Sequence, residues 1–243
     1  MKKIMFNDDY GLTQAVIDKI KTMTRRIVSL PKDIEENVHH VSFLTESRKG
    51  RQMIRLHDKK GNVIHQFILP FQVGEVVAVA QRYKECGWGA DVLQEAFIKK
   101  PTIFHDVDPI TPHVGWIDLP FKYHKGWNNK MFVSPKLMKH HIEFTSVKFE
   151  RLRNISDVDC FKEGIVGCGY PVYDENGYKE TISGYTVHAF AEDIGNPWSD
   201  NNPLHFIGDT PQTAFIVLCS KLYGKQLLKS NPFVLAYTFK KVD

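Results

Sequence analysis

The stretch Lys21-Thr22-Met23-Thr24-Arg25-Arg26 places a lysine, two threonine hydroxyls and two arginines within six residues. Immediately before it, Leu12, Val16, Ile20 and Met23 recur at helical spacing, widened by Ala15 and Ile17. This periodicity predicts a helix from about Gly11 to Ile20, started by the Asn7-Asp8-Asp9 cluster, and Pro31 closes the segment on the far side. The basic residues then read in either of two ways. They are a solvated helix end whose cations complement the carbonyl dipole, or they form a pocket for an anion or a nucleobase. In the second case Thr24 is a hydroxyl nucleophile beside the Lys21 amine.

Further along the chain the texture becomes strand-like. Val41–Leu44, Gln52–Leu56 and Val63–Leu69 read as short strands, the last two joined by the turn Asp58-Lys59-Lys60-Gly61-Asn62. Gly74-Glu75 introduces Val76–Ala80, apolar on both faces and therefore a central strand. Ile142–Leu152 and Phe233–Phe239 are further strands. Ser156-x-x-Asp159 resembles a capping box and Gly164 suits a stop, so Asp157–Glu163 reads as a short helix. Thr210-Pro211 starts a helix that runs to Tyr223, with Gly224 behind it. Two long irregular insertions interrupt this order, at about 84–127 and 167–209. The first carries Trp88, Trp116 and Trp127, and Ala90–Phe97 within it reads as a short helix. The order implies an α+β class: one domain over 1–243, a small mixed barrel with helices packed outside.

Composition narrows the class without choosing a function. A chain of 243 residues and 28.0 kDa buries a core without staples. Its 42% hydrophobic and 25% charged residues exclude a disordered or collagenous chain. No apolar run approaches the roughly 18 residues of a membrane span. Nothing near the first residues resembles a signal-peptide core, which makes the expected location cytoplasmic. The +4 net charge permits nucleic-acid binding without arguing for it. Cys86, Cys160, Cys168 and Cys219 lack C-x-x-C spacing, and free thiols are expected rather than zinc.

Several other groupings carry little. His39-His40 and His140-His141 are adjacent, and adjacent strand side chains point to opposite faces, which makes poor metal ligands. His105-Asp106-Val107-Asp108 lacks the glycine and distal glutamate of a calcium loop. Gly87-Trp88-Gly89 lacks the third glycine and the context of a dinucleotide loop. No metal or cofactor is expected.

Phe6, the first helix and Lys21-Thr22-x-Thr24-Arg25-Arg26 resemble the opening of the ASCH family. The resemblance continues at Gly74-Glu75-Val76-Val77, at Trp127 to Pro135, and from Glu150 to Ser156 with Asp159 and Glu163-Gly164-Ile165. It closes with Thr210-Pro211, Phe215, Leu222-Tyr223-Gly224-Lys225 and Asn231-Pro232-Phe233. This order is similar to that of the longer, phage- and prophage-associated members. The resemblance implies a PUA-like β-barrel that binds RNA or a nucleotide in a cleft beside its helices. In one branch of the family it implies hydrolysis of N4-acetylcytidine by a Lys, a Thr and a Glu, which map onto Lys21, Thr24 and Glu163.

Two departures from the family pattern stand out. Ala78-Val79-Ala80-Gln81 replaces an aromatic-Val-Arg-Glu run, and His140-His141-Ile142 replaces Ser-Arg-Ile. Three functions follow as expectations. In the leading one Lys21, Thr22, Arg25, Arg26, Lys130 and Lys136 line a basic cleft for RNA, a nucleotide or a modified nucleoside. Trp127 or Phe132 stacks on a base there. In the second Thr24 attacks an acyl carbonyl, Lys21 takes its proton, and Glu163 protonates the leaving amine or positions water. In the third the chain is a phage-encoded protein-interaction module whose contact surface is the tryptophan-rich excursion.

Overall fold

The computed structural model describes residues 1–46, 50–86, 125–173, 179–191 and 207–242. In chain order it begins with β1 (Lys3–Ile4), α1 (Leu12–Ile17), β2 (Met23–Ile27), α2 (Lys32–Asn37), β3 (His40–Thr45), β4 (Gln52–His57) and β5 (Val63–Ile68). Next come β6 (Val76–Val79), α3 (Lys125–Asn128), β7 (His141–Arg151), α4 (Asp157–Lys162), β8 (Ile165–Tyr173) and β9 (Lys179–Val187). The last elements are α5 (His188–Ala191), α6 (Pro211–Tyr223), α7 (Lys225–Ser230) and β10 (Phe233–Lys241). The fold is mixed α+β with several sheets, and among the described residues the sheets are open. Contacts group the chain into two compact units, Met1–Phe6 with Val77–His141, and Asn7–Val76 with Ile142–Val242.

The larger unit is organised by β10. It pairs antiparallel with β2, from Val234 opposite Ile27 to Thr238 opposite Met23. Its other edge pairs antiparallel with β7, from Phe233 opposite Arg151 to Lys241 opposite Ile142, with an irregularity between Thr238 and Phe239. Flanked on both edges, β10 is a near-continuous apolar run, and Val234, Leu235, Ala236 and Tyr237 are all buried. Phe144 and Tyr237 meet with ring centroids 5.0 Å apart, and Phe71 packs on Phe144 at 4.9 Å. Burying each such side chain contributes about 1.5–3 kcal/mol. Helix α6 starts where Thr210 accepts a hydrogen bond from the Thr213 N–H at 3.2 Å, and it buries Ala214, Phe215, Leu218 and Cys219 on one stripe.

A second sheet in this unit runs β3-β4-β5, antiparallel throughout. Ile54 and Leu56 of β4 are fully buried, so the alternate residues Met53, Arg55 and His57 belong to the opposite face. The β4–β5 turn is closed by Asp58 N–H to Asn62 O at 3.0 Å, with Gly61 at φ +84°. The smaller unit has its own apolar cluster of Ala78, Ala80, Tyr83, Val133 and Met138. There β1 pairs parallel with β6, and Lys3 Nζ donates to the carbonyls of Lys130, Met131 and Val133 at 3.1, 2.5 and 2.8 Å.

Three local expectations change. The first helix is shorter than its periodicity predicts, because the Lys19 backbone turns to φ +63° and ends it. The basic motif is a β-strand from Met23, not a helix end, because β10 supplies its hydrogen-bond partner. Part of the 167–209 excursion is a regular hairpin, β8 against β9, from Ile165 opposite Val187 to Tyr173 opposite Lys179. Gly167, Gly169, Pro171 and Gly184 disguise it, since such residues argue against a strand except at an edge or in a two-stranded ribbon. The 84–127 excursion, with Ala90–Phe97, His105-Asp106-Val107-Asp108 and Gly87-Trp88-Gly89, lies almost wholly outside the described residues.

Candidate functional site

The motif enters the core through a clamp. Behind α1, the N–H groups of Ile20 and Lys21 both donate to Ala15 O at 2.9 Å. The Thr22 N–H donates to Lys162 O at the end of α4 (2.8 Å), and its carbonyl accepts from Phe239 N–H of β10 (2.9 Å). These bonds fix the backbone from which the Lys21 side chain departs. On the facing side, Ser156 caps α4 by accepting from the Asp159 N–H at 3.2 Å, and Glu163 follows the last helical turn. Gly164 then takes φ +94°, which ends the helix and leaves open the space beside Lys21 Cβ, where an added Cβ would sit 3.6 Å away.

Lys21 Nζ donates to both the carbonyl and the carboxylate of Glu163, the former at 2.9 Å. Arg25, two residues into β2 past Met23, takes the other Glu163 oxygen, with Nη1 to Oε1 at 3.1 Å. Its Nη2 reaches Glu150 Oε1 at 2.7 Å and Asp159 Oδ2 at 3.3 Å. Lys148 Nζ adds a further contact to Asp159 Oδ2 at 3.3 Å, and Lys162 Nζ one to Oδ1 at 3.6 Å. Lys21, Arg25, Glu163 and Asp159 are 3–5% exposed. Taking such charges out of water costs several kcal/mol each, so the cluster is tolerable only because every member faces an opposite charge.

Burial shifts these groups in defined directions. Desolvation lowers the Lys21 amine, and the Glu163 charge only partly restores it. For Arg25 burial acts downward, but the Glu163 charge and the Glu150 contact carry it above its ordinary value. Burial also lowers Arg26, against the opposing influence of Tyr223 and Glu163. Burial alone would raise the Asp159 carboxyl, but Lys148, Arg25 and Lys162 bring it below the usual carboxylate range. The enclosed Cys160 and Cys219 thiols are pushed up, Cys160 to about 12.

The structure thus brings Lys21, Arg25 and Glu163 into direct contact. Thr24 is buried on β2 opposite Tyr237, and no hydrogen bond joins its hydroxyl to another described residue. Arg26 and Thr22 are half-buried. Lys130 belongs to the smaller unit, buried, with Nζ donating to Phe6 O at 2.5 Å. In that unit Phe132 and Lys136 are exposed, and the side chain of Trp127 in α3 lies outside the described parts. Glu163 does not pair with Arg151 or Arg153, the bland alternative for a helix-end carboxylate. Arg151 instead bonds Glu35, and Arg153 bonds Leu228 O at 3.0 Å. Two cluster members escape sequence reasoning: Asp159 reads only as a capping residue, and Glu150 is one acid of an ordinary strand. No local spacing signals that both turn toward Arg25.

Among the described residues no group of His, Cys, Asp and Glu has the arrangement of a metal site, and no helix is long and apolar enough to cross a membrane. No family model, curated protein or solved structure matches the chain.

Proposed function

We propose that the chain is an ASCH-type domain, with a PUA-like barrel, that hydrolyses the N4-acyl amide of a modified cytidine. The observation that supports this reading is the buried contact of Lys21 Nζ with the Glu163 carboxylate, steadied by Arg25. A phosphate-binding cleft needs cations that face solvent, whereas Arg25 is enclosed by three carboxylates. Amide hydrolysis instead needs a base that accepts a proton and returns it, and a wholly buried amine lowered by desolvation suits that task.

In the proposed reaction Lys21 first passes a proton to the Glu163 carboxylate that it contacts. The Thr24 hydroxyl then attacks the acyl carbon and its proton passes to the neutral amine. The bond from the acyl carbon to N4 breaks as Lys21 returns that proton to N4. The cytidine amine leaves and the acyl group remains as an ester on Thr24 Oγ. Glu163 orients the Lys21 amine and positions the water that cleaves the ester, which restores the hydroxyl and releases the carboxylic acid.

The test is acetate release from N4-acetylcytidine by the full chain. Thr24→Val keeps the side-chain shape and should abolish turnover, and Lys21→Arg keeps the charge but cannot act as a base. Folded wild type with no turnover, or full turnover in either variant, rejects the reading. One observation favours RNA binding as a second reading: Phe132 is 51% exposed, close in sequence to the exposed Lys136, as in a stacking platform with a phosphate contact. Phe132→Ala would then weaken single-stranded RNA binding without affecting acetate release.

A further inference from the structure

The β3-β4-β5 sheet carries a second arrangement of reactive groups that shares no residue with the Lys21 cluster. Register places three rows on its less buried face. Leu44, Met53 and Ile68 pair across one end, Ser42, Arg55 and Gln66 across the middle, and His40 with His57 at the other end. Ser42 Oγ lies 2.8 Å from His57 Nε2, and His57 Nδ1 lies 3.1 Å from the carbonyl of Gly61. A carbonyl oxygen can only accept, so Nδ1 carries the hydrogen. In the neutral ring Nε2 is then the acceptor, and Ser42 Oγ donates to it. The nucleophile, its base and the group that orients the base are therefore aligned in the order that activates a serine.

Three features hold this alignment. The ladder shifts register between Leu56 and His57, leaving Ile64 unopposed on β5, and such bulges re-aim the neighbouring side chain. The turn that presents the Gly61 carbonyl is fixed by Asp58, whose Oδ1 accepts from the N–H groups of Lys60 and Asn62, both at 2.8 Å. The His40 ring lies against His57 at 5.5 Å. Arg55 stands directly opposite Ser42, and its Nε donates to Gln66 Oε1 at 3.2 Å. Among the described residues no carboxylate pairs with it, so the rest of its guanidinium is available to a developing negative charge. An open hollow of about 380 Å³ beside it is lined by Arg55, Val63, Ile64, His65 and Gln66.

We infer that Ser42 and His57 form a nucleophile–base pair that cleaves short-chain carboxylic esters, with Arg55 stabilising the oxyanion and Leu44, Met53 and Ile68 receiving the acyl chain. In the first step Ser42 Oγ bonds to the acyl carbon and its proton moves to His57 Nε2. The carbon–alkoxy bond then breaks, and His57 returns the proton to the leaving alcohol. Water repeats the sequence on the seryl ester, freeing the acid and restoring Ser42. None of this depends on the amide chemistry proposed for Lys21, Thr24 and Glu163.

The experiment treats the full chain with a fluorophosphonate probe, maps the adducts by peptide mass spectrometry, and follows p-nitrophenyl butyrate hydrolysis. Exposed Ser29 serves as an internal control for ordinary serine reactivity. Ser42 should be labelled at least about 100-fold faster than Ser29, and His57→Gln should remove that advantage. Ser42→Ala should abolish both the adduct and ester turnover. Equal labelling of Ser42 and Ser29 in folded wild type overturns the inference, and this comparison needs no variant to fold. A His57→Gln chain that melts like wild type yet labels at the wild-type rate overturns it equally.

Discussion

The Lys21 cluster and the Ser42–His57 pair are both hydrogen-bonded sets of side chains, but they are built in opposite ways. Lys21 and Arg25 reach Glu163 across 142 and 138 residues of chain, whereas Ser42 and His57 are 15 apart on neighbouring strands. The first set is charged and buried, so its geometry depends on the packing around it. The second is half-buried, and depends on strand register, a bulge and one turn. Loss of a partner should therefore damage the fold in the first case and mainly reactivity in the second.

The sharpest way to break this contrast is Arg25→Met. Methionine fills similar apolar space but leaves Glu163, Asp159 and Glu150 without their shared cation. Removing one side of a buried ion pair costs about 3–5 kcal/mol, which urea unfolding would read as a large drop in midpoint with an unchanged slope. A loss below about 1 kcal/mol would mean that the cluster is far more hydrated than its burial implies.

A smaller effect follows from Asp159. Its folded carboxyl lies below the unfolded value, so its contribution to stability is present above that value, about 3.9, and is lost as pH falls through the lower folded value. Stability should fall on acidification below about pH 4. Asp159→Asn should flatten that acid limb and cost about 2 kcal/mol near neutrality, as expected for hydrogen bonds to charged groups. An acid limb of the same steepness in the variant would assign it to other carboxylates.

The same contrast explains what could be read from the chain beforehand. The strands over 41–69, with their turn at Asp58–Asn62, and the helices begun by Ser156 and Thr210 are signalled by nearby residues, and the structure places them there. Capping and turn chemistry act within about four residues, so a single sequence displays them. The β-strand character of Met23–Ile27 is not displayed, because β10, some 210 residues on, supplies its edge. Lys21 and Glu163 are individually conspicuous, but their contact exists only after α4 docks beside the motif. Ser42 and His57 are legible in the opposite sense. The strands and turn fix their register, but neither residue belongs to a recognisable motif, and the bulge across from His57 leaves no mark in the sequence.

The smallest expected stability effect tests the turn itself. Gly61 sits at φ +84° with no heavy atom within 4 Å of where a Cβ would be built. Gly61→Ala meets no clash, so its cost is conformational alone, about 1 kcal/mol. Thermal melting should show only a small shift. The Ser42 labelling rate should nevertheless fall well beyond what that shift explains, because the strained turn moves its carbonyl away from His57 Nδ1 and frees the ring to rotate. Turn and dyad are then one device, and the variant separates orientation from base strength, since His57 itself is intact. A Gly61→Ala chain with the small stability loss and undiminished Ser42 reactivity would show that the sheet register alone aims the imidazole.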